Sequence, residues 1–287
     1  MTSRPAFDVR TFAVPDHLSD LVTTIYRLDV DLPLGQPATE LLLPEWGNMR
    51  FLADDEQAEG AIGDVPFAGS GFLATGPTSR SLPVELGRMR LFGFGLHPLG
   101  WASFVDRPAS ELADGAFDGS SHPAFARLAD LAAALRFATP DDMRQFRIVV
   151  DFLSHSARLP RDGERIALVQ AAMTDPFAVQ VRDLAGRMGM TVRTLERLCL
   201  KAFGFSPNVL LRRQRLVRSL AWYFNEGERH WTEAIDRHYH DHSHFVREFH
   251  CFMGMSPTEY AAQDHPIMRA FMEHRGKTWG VPVRSER

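Results

Sequence analysis

Short apolar runs, separated by clusters of glycine, proline and aspartate, fill the first 119 positions of the chain. Brief apolar or alternating stretches bounded by turn-forming residues are typical of β-strands. Their number and spacing predict a small antiparallel barrel or sandwich. The predicted strands are Thr24–Val30, Leu41–Leu43, Asn48–Ala53, Gly71–Thr75, Leu82–Leu86 and Met89–Leu96.

After residue 119 the apolar spacing becomes helical, and from Val179 onward the pattern predicts only helices and tight turns. The predicted elements before that point are helices over Ala124–Phe137, Pro140–His155 and Ile166–Met173, with a linker at Leu159–Gly163. We expect four regions: a β-rich domain over 1–119, a helical linker region over 120–165, an all-α domain over 166–264 and a tail over 265–287.

The C-terminal region contains one pattern twice, fifty residues apart. Thr191-Val-Arg-Thr-Leu195-Glu-Arg197 leads to Gly204-Phe-Ser-Pro207, and Asp241-His-Ser-His-Phe245-Val-Arg247 leads to Gly254-Met-Ser-Pro257. In each copy a helix-capping residue stands four positions before an apolar residue, and Ser-Pro starts the next helix. A repeat of this length indicates one supersecondary element used twice. A capped helix after a tight turn predicts that the element is a helix-turn-helix.

Each copy leaves a polar helix face of a kind that suits the major groove of DNA. With the apolar stripe of each helix buried, the opposite face is free to contact base edges. Arginine can bind guanine through two hydrogen bonds, and glutamate can accept from cytosine. The candidate base-contacting residues are Val192, Arg193, Glu196 and Arg197 on a helix of about 191–203, and His242, Ser243, Val246 and Arg247 on one of about 241–253.

Charge is distributed unevenly between the two halves. Residues 1–119 carry 8 arginines against 17 acidic residues, whereas residues 176–265 carry 12 basic and 10 acidic residues. The net charge of −4 argues against indiscriminate nucleic-acid binding by the whole molecule. We therefore expect the acidic N-terminal region to avoid DNA and the C-terminal region to contact it.

These motifs make residues from about 166 to 264 resemble the DNA-binding domain of the AraC/XylS family of bacterial transcription regulators. In that family the second turn is one residue longer than the first. The same holds here, since Ala185 to Leu195 spans ten positions and Ala234 to Phe245 spans eleven. The resemblance is carried by Leu184, Ala185, Gly189, Thr191, Leu195, Arg197, Gly204, Pro207, Arg212, Arg215, Ala234, Tyr239, Asp241, Phe245, Arg247, Phe249, Gly254, Pro257 and Tyr260.

The resemblance implies an α+β protein, with an N-terminal β-rich, cupin-like small barrel followed by an all-α DNA-binding domain. Two helix-turn-helix subdomains, joined by a central helix, would read successive major-groove segments of double-stranded DNA and regulate transcription. The barrel would bind a small-molecule effector or form a homodimer, and RNA polymerase is a further candidate partner. Expected phosphate contacts are Thr191, Arg212, Arg213 and Arg215. Neither a cofactor nor a metal nor catalytic residues are expected, and the effector-binding residues stay unassigned.

The sequence departs from the family pattern at a few positions. His238 stands where a glycine is usual in the second turn, so that turn must accommodate a Cβ or adopt another geometry. Cys199 replaces a usual phenylalanine, and Leu200 replaces a usual basic residue. These changes predict weaker or unusual binding to the operator.

Two other classes of function compete with this interpretation. A metal-dependent cupin-like enzyme could use His97, and the histidines His238, His240, His242, His244 and His250 suggest a zinc site. The histidines straddle a turn, however, and no cysteine or carboxylate stands at metal-ligand spacing. The second class is a non-DNA interaction module, in which the exposed arginines would be incidental.

Cysteine usage and apolar runs indicate the compartment. Cys199 and Cys251 fall in predicted helix cores and form no C-x-x-C pair, which fits a reducing compartment. No apolar run approaches the length of a membrane span. We therefore expect a cytoplasmic protein that does not contact a membrane.

The aromatic residues of the N-terminal region allow two interpretations. They could simply fill the core of the β-rich domain, or some could line an effector pocket or a homodimer patch. The residues concerned are Trp46, Phe51, Phe72, Phe92, Phe94 and Trp101.

Overall fold

The fold is described from a computed structural model. It describes residues 7–53, 58–138, 141–175, 180–225, 231, 235–265, 267, 268 and 271. The β-rich half contains β1 (Phe7–Phe12), β2 (Val22–Val30), β3 (Ala38–Leu42), β4 (Asn48–Leu52), β5 (Gly60–Ile62), β6 (Val65–Pro66), β7 (Phe72–Thr75), β8 (Leu82–Leu86), β9 (Met89–Leu96) and β10 (Ala116–Asp118).

The strands form two antiparallel sheets rather than a closed barrel. The larger sheet has the order β1-β2-β9-β4-β7-β10, and the smaller has the order β3-β8-β5-β6. Among the described residues no strand pairing joins the two sheets. The predicted α+β fold is therefore confirmed, whereas the barrel predicted for the N-terminal half is open.

The larger sheet is covered on both faces, so β2, β4 and β7 are buried along their whole length. All nine residues of β2 are buried. Ile25 faces the core that also holds the helices of the linker region. Tyr26, Leu28 and Val30 face a second core, shared with the smaller sheet.

Strands β1, β5, β6 and β10 were not predicted, although two of them carry a recognisable signal. Strand β1 alternates apolar and polar residues. Ile62 pairs with Val65 across the two-residue turn Gly63-Asp64, in which Gly63 has φ +56. A Gly-Asp pair between two apolar positions is a known hairpin signal.

The helices lie close to their predicted positions. Residues Pro123–Leu128 form a 3-10 helix that continues into α2, and short 3-10 segments also occur at Asp16–Leu18 and Ala109–Glu111. The α-helices are α1 (Pro98–Phe104), α2 (Ala129–Arg136), α3 (Asp142–Ser156), α4 (Gly163–Thr174), α5 (Val181–Arg187), α6 (Val192–Phe203), α7 (Pro207–Asn225), α8 (His242–Met253) and α9 (Pro257–Ala261).

In the second repeat the sequence also predicts a first helix over residues 231–238, ahead of the turn, and this helix is only partly observed. Trp231 is helical, residues 232–234 lie outside the described part, and residues 235–238 form bends and turns. In the described residues no helix is long and apolar enough to cross a membrane.

The aromatic residues of the β-rich half fill its core. Phe51, Phe72, Phe92, Phe94 and Trp101 are at most 2% exposed. The partly buried Trp46 packs on Phe203 of α6, with ring centroids 5.8 Å apart. Burial of Phe51, Phe72, Phe92, Phe94 and Trp101 favours the interpretation in which these residues fill the core of the β-rich half.

Candidate nucleic-acid interface

The first helix-turn-helix is formed by α5, a tight turn and α6. Gly189 takes the left-handed conformation at φ +61, which a glycine adopts without strain. The Met190 N–H donates to the Ala185 carbonyl at 2.9 Å and closes the turn. Thr191 then begins α6, since its side-chain oxygen accepts from the Thr194 N–H at 3.2 Å. The predicted capping role of Thr191 is therefore confirmed.

Helix α6 has one buried and one exposed face. Leu195 and Cys199 are completely buried, and Leu198 is 7% exposed. The predicted base-contacting residues of this helix, Val192, Arg193, Glu196 and Arg197, are all exposed on the other side. Within the described part of the chain, neither Arg193 nor Arg197 forms an ion pair. Both guanidinium groups are thus available to an external acceptor.

A cleft runs along the exposed face of α6. Its other wall comes from the β-rich half and includes Pro108, Ser110 and Glu111. Arg193 and Arg197 line the same cleft. The polar face of α6 is therefore bordered by an acidic side chain of the N-terminal half, Glu111.

The second helix-turn-helix begins its recognition helix in the same way. Asp241 Oδ1 accepts from the His244 N–H at 2.7 Å and caps α8. This bond is the largest cause of the lowered pKa of Asp241. His242, Ser243 and Arg247 are exposed and Val246 is partly exposed, so the four predicted residues share the outward side. Among the described residues Arg247 forms no ion pair.

The core of the second unit is aromatic. The rings of Phe245 and Phe249 lie 5.6 Å apart, and Phe249 lies 5.7 Å from Tyr260. Trp231 packs against Phe249 at 5.0 Å and donates from Nε1 to the Pro257 carbonyl at 2.8 Å. Ser256 and Glu259 form a reciprocal capping box that starts α9.

The second turn accommodates His238 through a buried carboxylate. Asp236 Oδ1 lies 2.8 Å from both the backbone N–H and the Nδ1 of His238, and Asp236 Oδ2 accepts from Arg218 Nε at 2.5 Å. Burial opposes ionisation of Asp236, but the charge of Arg218 and the donors of His238 outweigh it, so its pKa is lowered. His238 is not among the described residues with a positive φ. The turn therefore adopts a geometry that does not need a glycine, which is the second of the two outcomes expected from the sequence.

Two of the predicted phosphate contacts lie against the second recognition helix. Arg212 Nε donates to Glu248 Oε1 at 2.5 Å, and Arg215 approaches the same carboxylate at 3.4 Å. Glu248 is 4% exposed, whereas the side chains of Arg212 and Arg215 are 33% and 15% exposed. These contacts fix α8 to α7, and only Arg212 keeps an appreciable exposed surface.

Arg213 lies in a different place from the one expected for a phosphate contact. Its side chain is buried, donates to the Thr78 and Glu45 carbonyls at 2.9 and 3.2 Å, and stacks over Trp46 at 3.8 Å. Burial lowers the pKa of this guanidinium to about 9. In this arrangement Arg213 cannot reach a phosphate, because the β-rich half encloses it.

One segment of the β-rich half, residues 76–81, contacts the end of α6, the middle of α7 and the end of α8. Pro77 lies where a Cβ on Gly204, at the end of α6, would meet its Cγ at 2.6 Å. Thr78 accepts from Arg213 of α7. Ser81 donates from its N–H to the Phe252 carbonyl at 2.9 Å and from Oγ to the Met253 carbonyl at 3.0 Å. These carbonyls belong to the last turn of α8, where no intrahelical donor is available.

The residues of the competing hypotheses are placed as follows. His97 is partly buried, and burial lowers its pKa to about 4. His240 stacks on His244 at 5.5 Å, while His244 lies 3.6 Å from Glu248. In the described residues no group of three histidine, cysteine, aspartate or glutamate side chains could hold a metal ion.

The two cysteines differ from each other. Cys199 is buried, and burial raises the pKa of its thiol to about 12. Cys251 is exposed, so its predicted place in the core is wrong.

Sequence reasoning missed Glu248 and Asp236, the two buried carboxylates that organise the second unit. Aligning the two copies at their offset of fifty residues would have given a signal for Glu248. It stands where the first copy has Leu198, a core position. An acid at a core position requires cationic or hydrogen-bonding partners.

Comparison with known proteins adds a domain assignment. Residues 184–263 match the family model described as "Helix-turn-helix domain". No curated protein matches the chain. The resemblance to AraC-type DNA-binding domains is therefore confirmed over these residues.

Solved structures show remote likenesses. ToxT from Vibrio cholerae O395 is 12% identical, with 90% of this chain and 98% of that chain covered and a TM-score of 0.44. Unsaturated fatty acid bound wild-type ToxT from Vibrio cholerae strain SCE256 is 10% identical, with coverages of 91% and 96% and a TM-score of 0.43. The AraC-like transcriptional activator CuxR is 13% identical, with coverages of 75% and 87% and a TM-score of 0.28. The functional assignment therefore rests on the domain match and on the geometry of α6 and α8.

Proposed function

We propose that this chain is a DNA-binding transcriptional regulator, and that α6 and α8 of the helix-turn-helix domain matched over residues 184–263 are its two recognition helices. Each inserts its exposed face into a major groove, and the two read successive segments of one operator. The proposal includes the domain limits predicted from the sequence, which are 1–119, 120–165, 166–264 and 265–287. No catalytic step is assigned to the protein.

The observation that carries the proposal is the shared construction of the two helices. Each begins at a side-chain cap after a turn, buries an apolar stripe and exposes an arginine at the seventh position of its copy, Arg197 or Arg247. A helix of this diameter fits the major groove, and its first turns reach the base edges. Packing within the protein gives no other reason for the exposed faces of α6 and α8.

The side chains of α6 have separate roles in this proposal. Arg193 and Arg197 each donate to guanine, and Glu196 accepts from cytosine. Val192 contacts a thymine methyl group. On α8, Arg247 donates to guanine while His242, Ser243 and Val246 contact adjacent base edges.

We assign fewer residues to phosphate contacts than the sequence alone predicts. Arg212 is retained because it is the most exposed of the three α7 arginines predicted to contact phosphate. Thr191 and Arg215 remain candidates, although each already has a partner within the protein. Arg213 is not included, because it is enclosed by the β-rich half.

Footprinting of the full-length protein on genomic fragments tests the central proposal. We expect protected sites of defined sequence, and a slope of about −4 to −5 in a plot of log affinity against log salt concentration, for roughly 4–6 neutralised phosphates. Absence of any preferred site at moderate salt would remove the proposed role of both helices.

Single substitutions separate base contacts from phosphate contacts. Arg197→Ala and Arg247→Ala should each weaken operator binding by about 1–3 kcal/mol and relax preference at particular base pairs. Arg212→Ala should weaken all sequences alike. Arg88→Ala is a matched control, since Arg88 is half exposed and lies in the acidic half. An Arg197→Ala variant that keeps full affinity and preference would show that α6 does not read bases.

We further propose that a small-molecule effector binds the β-rich half and that the protein pairs with a second copy on DNA. The effector site is the cavity between the two sheets, described below. Light scattering at micromolar concentration tests the pairing, with a dimer expected for the full chain. A monomer both free and on its operator would exclude the homodimer. Contact with RNA polymerase stays a candidate without a structural observation to support it.

A further inference from the structure

The end of the described chain projects three apolar side chains into the β-rich half. Ile267 and Met268 are each 3% exposed, and Phe271 is 9% exposed. They line a cavity whose other walls include Tyr26, Leu28 and Leu91 of the larger sheet and Val84 of the smaller one. The Phe271 ring meets Tyr26 edge to face at 4.8 Å. We call His265, Ile267, Met268 and Phe271 the C-terminal plug.

A buried carboxylate holds the plug in place. Glu40 of β3 is 6% exposed, and its Oε1 lies 2.9 Å from His265 Nδ1. Its Oε2 accepts from the Ile267 N–H at 3.2 Å. Both carboxylate oxygens of Glu40 are thus bonded to the plug.

The hydrogen bonds of His265 define how it is paired with Glu40. Its second ring nitrogen, Nε2, lies 2.8 Å from the Tyr260 carbonyl. A backbone carbonyl can only accept a hydrogen bond, so Nε2 carries a proton, and Nδ1 and Glu40 Oε1 share one further proton between them. The Glu40–His265 pair is therefore neutral as a whole, and the plug supplies the group that balances the Glu40 carboxylate.

With the plug in place the cavity is almost full. The remaining void is about 40 Å³, enough for water molecules. Pockets that bind small molecules usually measure about 300–1,000 Å³. A small-molecule ligand can therefore occupy this cavity only when the plug leaves.

We propose that the C-terminal plug is a built-in ligand of this pocket, and that the external ligand that displaces it is an apolar molecule with a cationic head group. Once the plug leaves, Glu40 would be a buried anion without donors, which is costly unless a new donor replaces His265. The other buried charge in the pocket, Arg50, already donates to Thr75 at 3.0 Å and Glu45 at 3.2 Å. The unbalanced charge in the open pocket is thus negative. Only the description of this ligand as an effector rests on the proposed function.

Calorimetric titration with decylamine, decanol and decanoate tests the ligand class, because the three share a chain length and differ in head group. Wild-type protein should bind decylamine most tightly and decanoate most weakly. Phe271→Ala should tighten decylamine binding by about tenfold or more, since the plug competes less well and the open pocket is more populated. Ile267→Ala serves as a second variant with the same expected direction. Phe137→Ala is the matched control, because Phe137 is 85% exposed, and it should change nothing.

Glu40→Gln tests the charge argument directly. The variant should lose the preference for decylamine over decanol while still binding the alkyl chain. Tighter binding of decanoate than of decylamine by wild type, or an unchanged preference in Glu40→Gln, would overturn the ligand class. Failure of all three compounds to bind even Phe271→Ala and Ile267→Ala would overturn the pocket itself.

Hydrogen exchange measures displacement of the plug. In wild-type protein, saturating decylamine should speed exchange of the Ile267 amide, whose N–H is bonded to Glu40. Unchanged exchange at saturation would overturn displacement. These measurements need no DNA. If decylamine does not bind, the proposal that α6 and α8 read an operator is unaffected. If no operator is found, the result of the ligand-binding measurements still stands.

Discussion

The two helix-turn-helix units use the same motif but different packing chemistry. At equivalent positions fifty residues apart, the first unit has Leu198 and Cys199 where the second has Glu248 and Phe249. All four side chains are buried. Helix α6 packs mainly through aliphatic and small side chains, with one aromatic ring, Phe203, at its end. Helix α8 packs through several aromatic rings and a buried carboxylate bound to α7. The repeated helix-turn-helix therefore preserves its side-chain caps and Ser-Pro helix starts more strictly than the chemistry of its core.

The difference extends to what surrounds each unit. The core of the first unit is continuous with that of the linker helices and one face of the larger sheet. The second unit shares a core with the opposite face of that sheet and with the C-terminal plug. Each unit is thus joined to a different side of the same sheet, and Gly76–Ser81 contacts both.

The largest difference between the units should appear at the pair Phe249 and Cys199. Phe249→Ala should lower the free energy of unfolding by about 3–5 kcal/mol, because it removes a ring enclosed by three aromatic neighbours. Cys199→Ala should cost about 1 kcal/mol, since it removes a single atom. Urea unfolding followed by circular dichroism measures both. Equal costs would mean that the two cores are equivalent despite their composition.

The next largest effect concerns the buried carboxylate of the second unit. Glu248→Ala should lower the free energy of unfolding by about 2–3 kcal/mol, because Arg212 and Arg215 lose their partner in a partly buried setting. The cost stays below that of a fully buried pair since Arg212 can turn towards solvent. Glu196→Ala is the matched control in the first recognition helix, where the glutamate is exposed and little change is expected. Thermal unfolding that is unchanged in Glu248→Ala would contradict the anchoring role.

A smaller effect is expected where the two units share a support. Arg213→Met should cost about 1–3 kcal/mol, because the Thr78 carbonyl loses its buried donor while the methionine still fills part of the space. Arg187→Met is a control on an arginine whose side chain is 51% exposed. Chemical unfolding measures both variants. If Arg213→Met is as stable as wild type, the guanidinium does not hold α7 to the β-rich half.

The smallest expected effect distinguishes the two helix caps by pH. Hydrogen bonding lowers the pKa of Asp241 below its ordinary value of 3.8. Its ionised form therefore stabilises the fold above about pH 4, and this contribution is lost as the pH falls through the lowered pKa of the folded state. Asp241→Asn should be less stable than wild type at pH 6, with the difference shrinking at lower pH. Thr191→Asn should show no such pH dependence, because neither cap at that position titrates. Parallel pH profiles for the two substitutions would contradict the assignment.

Much of the fold and of the interface could be predicted from the sequence. The caps Thr191 and Asp241, the turn at Gly189 and the starts of α7 and α9 at Ser-Pro are local features, determined by backbone conformation and nearby hydrogen bonds. The exposure of Arg193, Arg197 and Arg247 follows from helical periodicity, because the apolar stripe of each helix fixes its opposite face. The predicted strands are also local features, because each is a short apolar or alternating run bounded by turn-forming residues.

Contacts between distant segments were decided only by the tertiary structure. Arg213 looks from the sequence like one more basic residue on α7, yet it is buried against Thr78, which lies 135 positions away. Glu40 and His265 are 225 positions apart and become a buried pair. The hydrophobic periodicity of the sequence does not identify such partners. A polar residue at a core position shows only that a partner is needed, and not where in the chain that partner lies. The sequence by itself determined the two capped helices α6 and α8 and their exposed faces. Long-range packing decided how both helices join the β-rich half, because enclosure of a charged side chain depends on every element around it.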